Sequence, residues 1–309
     1  MIALVSLDRA SFEHLLKRFK KAYDIPWRIG KRGRPVKFPL HHYALGAILM
    51  FYSTQAELKL LCTTFDAGPS IMSRTIQKAE LEIFQITKKF KNCRIQWPSF
   101  DQQAAWASLV SKKEPEILGR FGFIDGKNYP VADPSDIDLQ NAMHNGWLMS
   151  TLITGTLCFG VDGCIIWGKH NFCGSWNDAD TSKSCQEKLA DPTKTLNGHG
   201  LLADSAFPVR DNLFGRIMTP LKDGDIMRAH PKCHAILLRR SSSITRLRQA
   251  AESAEWGMGA VEKPFKRLLS KLPCNAKIRN MRLQNIHRLY NYRVPRTGIS
   301  QIKNFFNDD

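Results

Sequence analysis

The chain contains no run of eighteen or more apolar residues, so no segment reads as a transmembrane helix, and no membrane partner is expected. Its opening, Met1-Ile2-Ala3-Leu4-Val5-Ser6-Leu7-Asp8, lacks both a basic leader and a long apolar core, so no signal peptide is expected. No Cys-x-x-Cys pair occurs among the eight cysteines, Cys62, Cys93, Cys158, Cys164, Cys173, Cys185, Cys233 and Cys274. They are scattered through apolar segments, which fits free thiols in a reducing compartment better than a disulfide framework or a zinc cluster. Cys233 with His230 and His234 has poor spacing for zinc. No internal repeat or low-complexity tract is present. Acidic residues are the scarce charge: 28 against 45 Lys and Arg, a formal net charge of +17. Such an excess points to a polyanionic partner, nucleic acid above all. With 309 residues, 43% of them hydrophobic, the chain can bury a core and suits one large domain and a smaller one.

The few acids that matter sit at the ends of apolar runs. Phe121-Gly122-Phe123-Ile124-Asp125-Gly126 ends on a carboxylate, and Gly200-Leu201-Leu202-Ala203-Asp204-Ser205 repeats the pattern. A third cluster, with Glu252 and Glu255, lies in a helix-like segment around Trp256-Gly257. Carboxylates at strand ends are costly to bury unless a cation meets them. Three that converge make an oxygen-donor site for Mg²⁺ or Mn²⁺. Two ions about 4 Å apart can clamp the attacking and leaving oxygens of a phosphoryl displacement. In a basic chain this points to phosphodiester chemistry on nucleic acid.

Helical spacing marks residues 1–36 at first (Phe12, Leu15, Leu16, Phe19). A basic stretch, Lys31-Arg32-Gly33-Arg34-Pro35, follows, in which Arg32 and Arg34 suit a narrow A·T-rich minor groove. Residues 37–92 read as three helices: Leu40 to Phe51, then Leu58, Leu60, Leu61 and Phe65, then Met72 to Ile83. The break Asp66-Ala67-Gly68-Pro69-Ser70 gives a helix-turn-helix plan with Ser70 as the expected cap. Ser73, Arg74 and Gln77 are the residue types that reach bases or phosphates. Residues 93–117 form a connector with a helix. Strand-like runs follow at 121–125, 147–160, 164–169, 200–204 and 215–219, with a hairpin turn at Gly160-Val161-Asp162-Gly163. A helix from Asp178 to about Ala190 interrupts them, so a mixed α/β sheet flanked by helices is expected. Residues 241–270 read as helix, and 275–309 as a basic helix and a tail.

Six motifs occur in order: residues 121–126; Asn141-Ala142-Met143-His144-Asn145-Gly146-Trp147; Cys173-Gly174-Ser175-Trp176-Asn177-Asp178; Ala203-Asp204-Ser205-Ala206-Phe207-Pro208; Arg216 to Lys222; and Glu255-Trp256-Gly257-Met258. As an ordered set they resemble the DDE endonuclease domain of Harbinger-type transposases over residues 118–292, with a tail at 293–309. The resemblance implies an RNase H-like fold preceded by a helix-turn-helix region, and a catalytic and metal-binding triad. Asp125 matches its first acid and Asp204 its second. Glu255 matches one branch of the family for the third, while Glu262, in Val261-Glu262-Lys263-Pro264-Phe265, matches another. The two Glu lie seven residues apart, nearly on one helical face, so spacing does not separate them; Glu255 is the expected third acid and Glu262 the alternative. Glu252, four residues after Arg248, shares a spacing the family also uses. Asp178 matches a Gly-Ser-x-x-Asp motif and is expected near the site or as a helix cap. Asn141 and Asn145 are expected to orient the loop of the first strand, and His144 and His170 to form plain hydrogen bonds rather than move protons. The resemblance further implies double-stranded DNA as substrate, both transposon ends and target, a Myb-like partner protein, assembly of several copies on DNA, and a nuclear location. A domesticated nuclease and an inactive DNA-binding relic remain alternatives.

Overall fold

The computed structural model describes residues 2–25, 36–204, 207, 215–220 and 244–307, with side chains from Leu4 onward and, in the last of these stretches, from Glu252 to Phe306. Arg32, Arg34, His230, Cys233, His234 and the side chain of Arg248 lie outside the described residues. The chain forms two compact units, each discontinuous in sequence: residues 1–94, 129–134 and 261–299 make the first, and 95–128, 135–260 and 300–309 the second.

The first unit is helical. It holds α1 (Ile2–Val5), α2 (Arg9–Ala22), α3 (His41–Ser53), α4 (Leu58–Thr64), α5 (Pro69–Lys89) and, from the far end of the chain, α11 (Ala276–Thr297). In α2 the apolar spacing works as read: Leu15 and Phe19 are fully buried, and the Asp8 carboxylate caps the helix by accepting from Ser11 N. Helix α3 is apolar nearly all round and buries nine of its residues, as expected of a central helix. The expected third-helix cap is corrected. Gly68 is the cap residue and makes no side-chain cap bond, while Pro69 takes the first helical position and puts Ser70 inside the helix. Proline has no N–H to lose there and its φ is already helical. In α4 only Leu61 is buried, and Leu58 and Leu60 face solvent.

A polar network crosses this unit's core. Arg282 on α11 grips Glu80 on α5 through two bonds, Nε to Oε1 at 2.7 Å and a terminal nitrogen to Oε2 at 3.1 Å. Tyr52 on α3 donates its hydroxyl to Glu80 Oε1 at 3.1 Å, and Asn285 Nδ2 donates to Tyr52 Oη and to the Glu80 carbonyl. Burial, then the Glu80 charge, pushes the Tyr52 hydroxyl well above its ordinary value, so it stays a donor.

The second unit is a mixed sheet flanked by helices. Its strands are β1 (Arg120–Pro130, of which residues up to 128 belong here), β2 (His144–Asn145), β3 (Ser150–Gly160), β4 (Ile165–Cys173), β5 (Gly200–Ala203) and β6 (Ile217–Met218). The order is β2-β3-β1-β5-β6, with β4 also on β3. β3 and β4 are an antiparallel hairpin closed where Gly163 N donates to Gly160 O, as expected at that turn. β5 runs parallel to both β1 and β6. Helices α6 (Phe100–Lys113), α7 (Ile137–Met143), α8 (Asp178–Thr181), α9 (Lys183–Ala190), most of α10 (Ile244–Glu262) and α12 (Gln301–Asn307) complete the unit. The core packs Phe121, Ile124, Ile166, Trp167, Leu189 and Leu201 with the buried thiols Cys158 and Cys185. The architecture is consistent with an RNase H-like fold. All described cysteines are free thiols, as expected. Among the described residues no helix is long and apolar enough to cross a membrane.

The buried Arg282–Glu80 pair makes a stability prediction. Arg282→Met alone strands the Glu80 carboxylate in the core and is expected to cost about 3–5 kcal/mol, whereas Glu80→Met with Arg282→Met should recover most of it. Chemical denaturation of the three proteins measures this. A single variant within about 1 kcal/mol of the parent would show that the pair contributes little.

Candidate active site

Parallel pairing of β1 with β5 fixes the register Phe123 to Leu202 and Ile124 to Ala203. Asp125 and Asp204 each follow the last of these paired positions by one residue. They therefore stand side by side on neighbouring strands about 4.8 Å apart. Asp204 follows the end of β5 as expected, whereas Asp125, expected at a strand end, lies midway along β1, which runs on to Pro130. The residues before them, Phe123, Ile124, Leu202 and Ala203, are all fully buried and make a rigid base. At the opposite end two arginines fix where the strands begin. The buried Arg120 donates to the carbonyls of Leu118 (3.1 Å) and Gly215 (2.8 Å), and Arg216 donates to that of His199 (3.0 Å).

Asp125 is partly buried and Asp204 exposed. Burial pushes the Asp125 carboxyl up to about 7. The Asp204 charge adds to this, the Gly126 amide opposes it by donating to Oδ1 at 2.7 Å, and Asp178 and Glu255 raise it further. Asp178 is raised too, by burial and then by Asp204. Four carboxylates thus share one electrostatic field, with Asp125 at its focus.

Two glycines shape that field. A Cβ on Gly126 would collide with Asp178 Oδ1, so a glycine directly after Asp125 is what lets the Asp178 carboxylate lie against β1. Asp178 is the first residue of α8 and not its cap: Asn177 Oδ1 accepts from Asp180 N at 3.0 Å and fills that role. A buried hydroxyl pair, Thr156 on β3 and Thr181 on α8 at 2.7 Å, ties this short helix to the sheet. The second glycine, Gly257 on α10, lies so close to Phe159 on β3 that a Cβ would sit 2.7 Å from the ring. Ser253, Ala254, Gly257 and Met258 are buried, which turns Glu252 and Glu255 outward. Trp256 packs edge-on against Phe305 at 5.2 Å.

Glu255 and Glu262 have different surroundings. The charge of Glu255 acts on Asp125, whereas that of Glu262, in the helical unit, acts on the buried Tyr129 hydroxyl and raises it after burial itself. Asn145 holds backbone together: its Nδ2 donates to the Gly174 carbonyl at 2.9 Å, and its Oδ1 accepts from the amides of Trp147 and Leu148. It secures the β2–β3 turn and the segment after β4, not the loop of β1. Asn141 and His144 are exposed, and His170 sits in β4 opposite Gly155. In the helical unit Arg74 and Gln77 are exposed and Ser73 partly so.

Four oxygen-donor carboxylates in mutual repulsion suit a hard divalent cation by charge and donor type. Among the described residues, however, no three His, Cys, Asp or Glu side chains stand close enough to form a ready chelate. Without a cation, the raised Asp125 carboxyl makes folding pH-dependent. A carboxyl raised from an ordinary value near 3.9 holds its proton better when folded, so its stabilising share is present at low pH and lost as pH climbs through about 7. In EDTA, Asp125→Asn should therefore be more stable than the parent at pH 8 by on the order of 1–3 kcal/mol, with the gap narrowing from pH 7 toward pH 4. Thermal melts across that range test it, and a gap that ignores pH would rule out the raised carboxyl.

No curated protein and no solved structure gives a significant match. The family model described as "DDE superfamily endonuclease" matches residues 124–291, more than half of the chain. That span carries Asp125, Asp178, Asp204, Glu255 and Glu262, and most of the sheet that sets Asp125 and Asp204 side by side. The chain belongs to the DDE superfamily of endonucleases.

Proposed function

We propose that this protein is a metal-dependent DNA endonuclease and strand transferase of the Harbinger transposase type, acting in the nucleus. The observation that carries the reading is the in-register placement of Asp125 and Asp204 on parallel strands, with the Glu255 charge acting on the first. Family membership supports nuclease action on DNA, and the ordered motifs support the Harbinger subtype.

In this reading Asp125, Asp204 and Glu255 would hold Mg²⁺ or Mn²⁺. The bound metal supplies Lewis acidity toward the phosphodiester and a lowered pKa for the attacking water. The chain's own contribution is preorganisation. The buried residues that precede them on β1 and β5 fix both aspartates, Gly257 seats α10 on Phe159, and Gly126 admits Asp178 beside them. Asp125 must give up its proton when the cation arrives, so cation affinity rises with pH. Cutting frees a 3′-hydroxyl, whose oxygen then attacks a target phosphorus while the target strand's own P–O3′ bond breaks. Residues 37–92 would form the DNA-reading part, with Ser73, Arg74 and Gln77 toward the duplex and Arg32 and Arg34 toward a minor groove. A Myb-like partner and assembly of several copies on DNA complete the proposal.

Purified protein is expected to nick duplex DNA only with Mg²⁺ or Mn²⁺. Asp125→Asn and Asp204→Asn should each reduce nicking at least a hundredfold, equivalent to about 3 kcal/mol, while remaining folded. Glu255→Gln should do the same, and Glu252→Gln and Glu262→Gln should not. Loss confined to Glu262→Gln moves the third acid along the chain. Undiminished cutting by both aspartate variants removes the assignment of these acids, whereas a parent that binds duplex DNA and does not cut it with either metal favours a DNA-binding protein without catalysis.

The recognition helix is tested separately. Arg74→Ala with Gln77→Ala should weaken binding to a transposon end more than to random duplex, by roughly 1–3 kcal/mol per base contact. Equal weakening in a mobility-shift titration would reduce these residues to phosphate contacts, and no weakening would make the three helices a scaffold.

A further inference from the structure

A cleft of about 420 Å³ opens in the helical unit between α2 and the end of α5. Its walls carry Lys17, Arg18 and Lys21 from α2 and Lys89 from the last turn of α5, with His14 and Phe90. Among the described residues no carboxylate lines it. Lys17 and Lys21 are four residues apart, so they share a helix face, and both are exposed, as are Arg18 and Lys89. Like charges gathered this way repel one another and favour an anion.

The cations are not equivalent. Arg18 lies over the Phe90 ring, 4.0 Å from its centroid. Beside the cleft, Arg296 stacks over Tyr292 at 4.6 Å and donates to His14 Nδ1 at 2.9 Å, which leaves His14 neutral with its proton on Nε2. Two guanidiniums are therefore held in place, while the three lysines sit on flexible stems. Asp8 is an acid whose charge reaches Arg296, and its Oδ1 is bonded to the Ser11 amide.

We propose that this cleft grips the sugar–phosphate backbone of duplex DNA, as a sequence-independent contact distinct from the Arg74–Gln77 surface. The proposal rests on the reading that DNA is the substrate. Three observations set the ligand. The lining is cationic, and its one guanidinium, Arg18, is engaged on the Phe90 ring, so the cleft presents ammonium groups on flexible stems rather than a fixed fork or amide aimed at base edges, which fits phosphates. Phe90 is buried and covered by Arg18, so it offers no open face on which an unstacked base could lie, which favours a duplex over single-stranded RNA or DNA. Finally, Lys89 stands fifteen residues after Arg74 on one helix, roughly 22 Å along its axis, so the two surfaces touch different stretches of backbone.

The test compares Lys17→Ala/Lys21→Ala/Lys89→Ala with a charge-matched control, Lys263→Ala/Lys266→Ala/Lys277→Ala, in the full chain. Arg18 is left intact because it packs on Phe90. Binding to cognate duplex DNA, random duplex DNA and single-stranded RNA is titrated from about 50 to about 300 mM salt, with thermal melts to confirm folding. The cleft variant should bind about tenfold or more weakly at about 0.1 M salt, equally on both duplexes, and the slope of log K against log salt should fall by about 2–3. An unchanged slope, an equal loss in the control, or a loss seen only with single-stranded RNA would overturn the proposal. Intact Mg²⁺-dependent nicking by the parent alongside such a result would leave the nuclease reading standing, and a parent that binds no duplex DNA would remove both.

Discussion

Parallel pairing of β1 with β5 is the constraint on which the candidate site depends. Once Ile124 faces Ala203, the next residue on each strand is a carboxylate, and the two cannot be moved apart without breaking the pairing. The apolar residues beneath give the strands no freedom to slide, since a one-residue slip would turn every side chain to the other face. Everything else at the site adjusts to this fixed pair. α8 brings Asp178 over Gly126, and α10 brings Glu255 within electrostatic reach. The arrangement is a collection of repulsions held by a well-packed core, which is how a fold stores a preference for a positive charge.

Much of this is legible in the sequence, because strand ends and turns leave local marks. Acids closing apolar runs identify Asp125 and Asp204, and Gly160 to Gly163 mark the hairpin. What is not legible depends on close approach between segments far apart in the chain. Nothing local says that Gly126 must accommodate a carboxylate 52 positions on, or that Gly257 must lie against Phe159. Both glycines stand inside motifs whose sequence signal lies in their acids. The choice between Glu255 and Glu262 is of the same kind. Helical spacing gives them one face, and the different groups on which their charges act, Asp125 for one and Tyr129 for the other, come from segments far away in the chain.

The helical unit shows the opposite balance. Its three central helices stand where apolar spacing puts them, yet α5 opens earlier than its polar signal suggests, because Pro69 outcompetes Ser70 for the role of starting the helix. The membership of α11 in this unit is invisible from sequence. Arg282 and Glu80 are 202 residues apart, and a buried ion pair has no periodic signature.

That long-range pair governs the order in which the chain can mature. The helices α3 and α5 emerge from the ribosome with Glu80 lacking its guanidinium, and Arg282 follows only after residues 95–128 and 135–260 of the sheet unit have been made. At synthesis speeds of roughly 5–20 residues per second, the wait is on the order of ten to forty seconds. During it the Glu80 carboxylate lacks its two-bond partner, and the helical unit lacks the helix that supplies it. The same circumstance bears on dissection of the protein. A fragment cut after residue 94 would carry the three central helices but not the helix that neutralises Glu80, so the amino-terminal third is an integral part of a larger body rather than a detachable module.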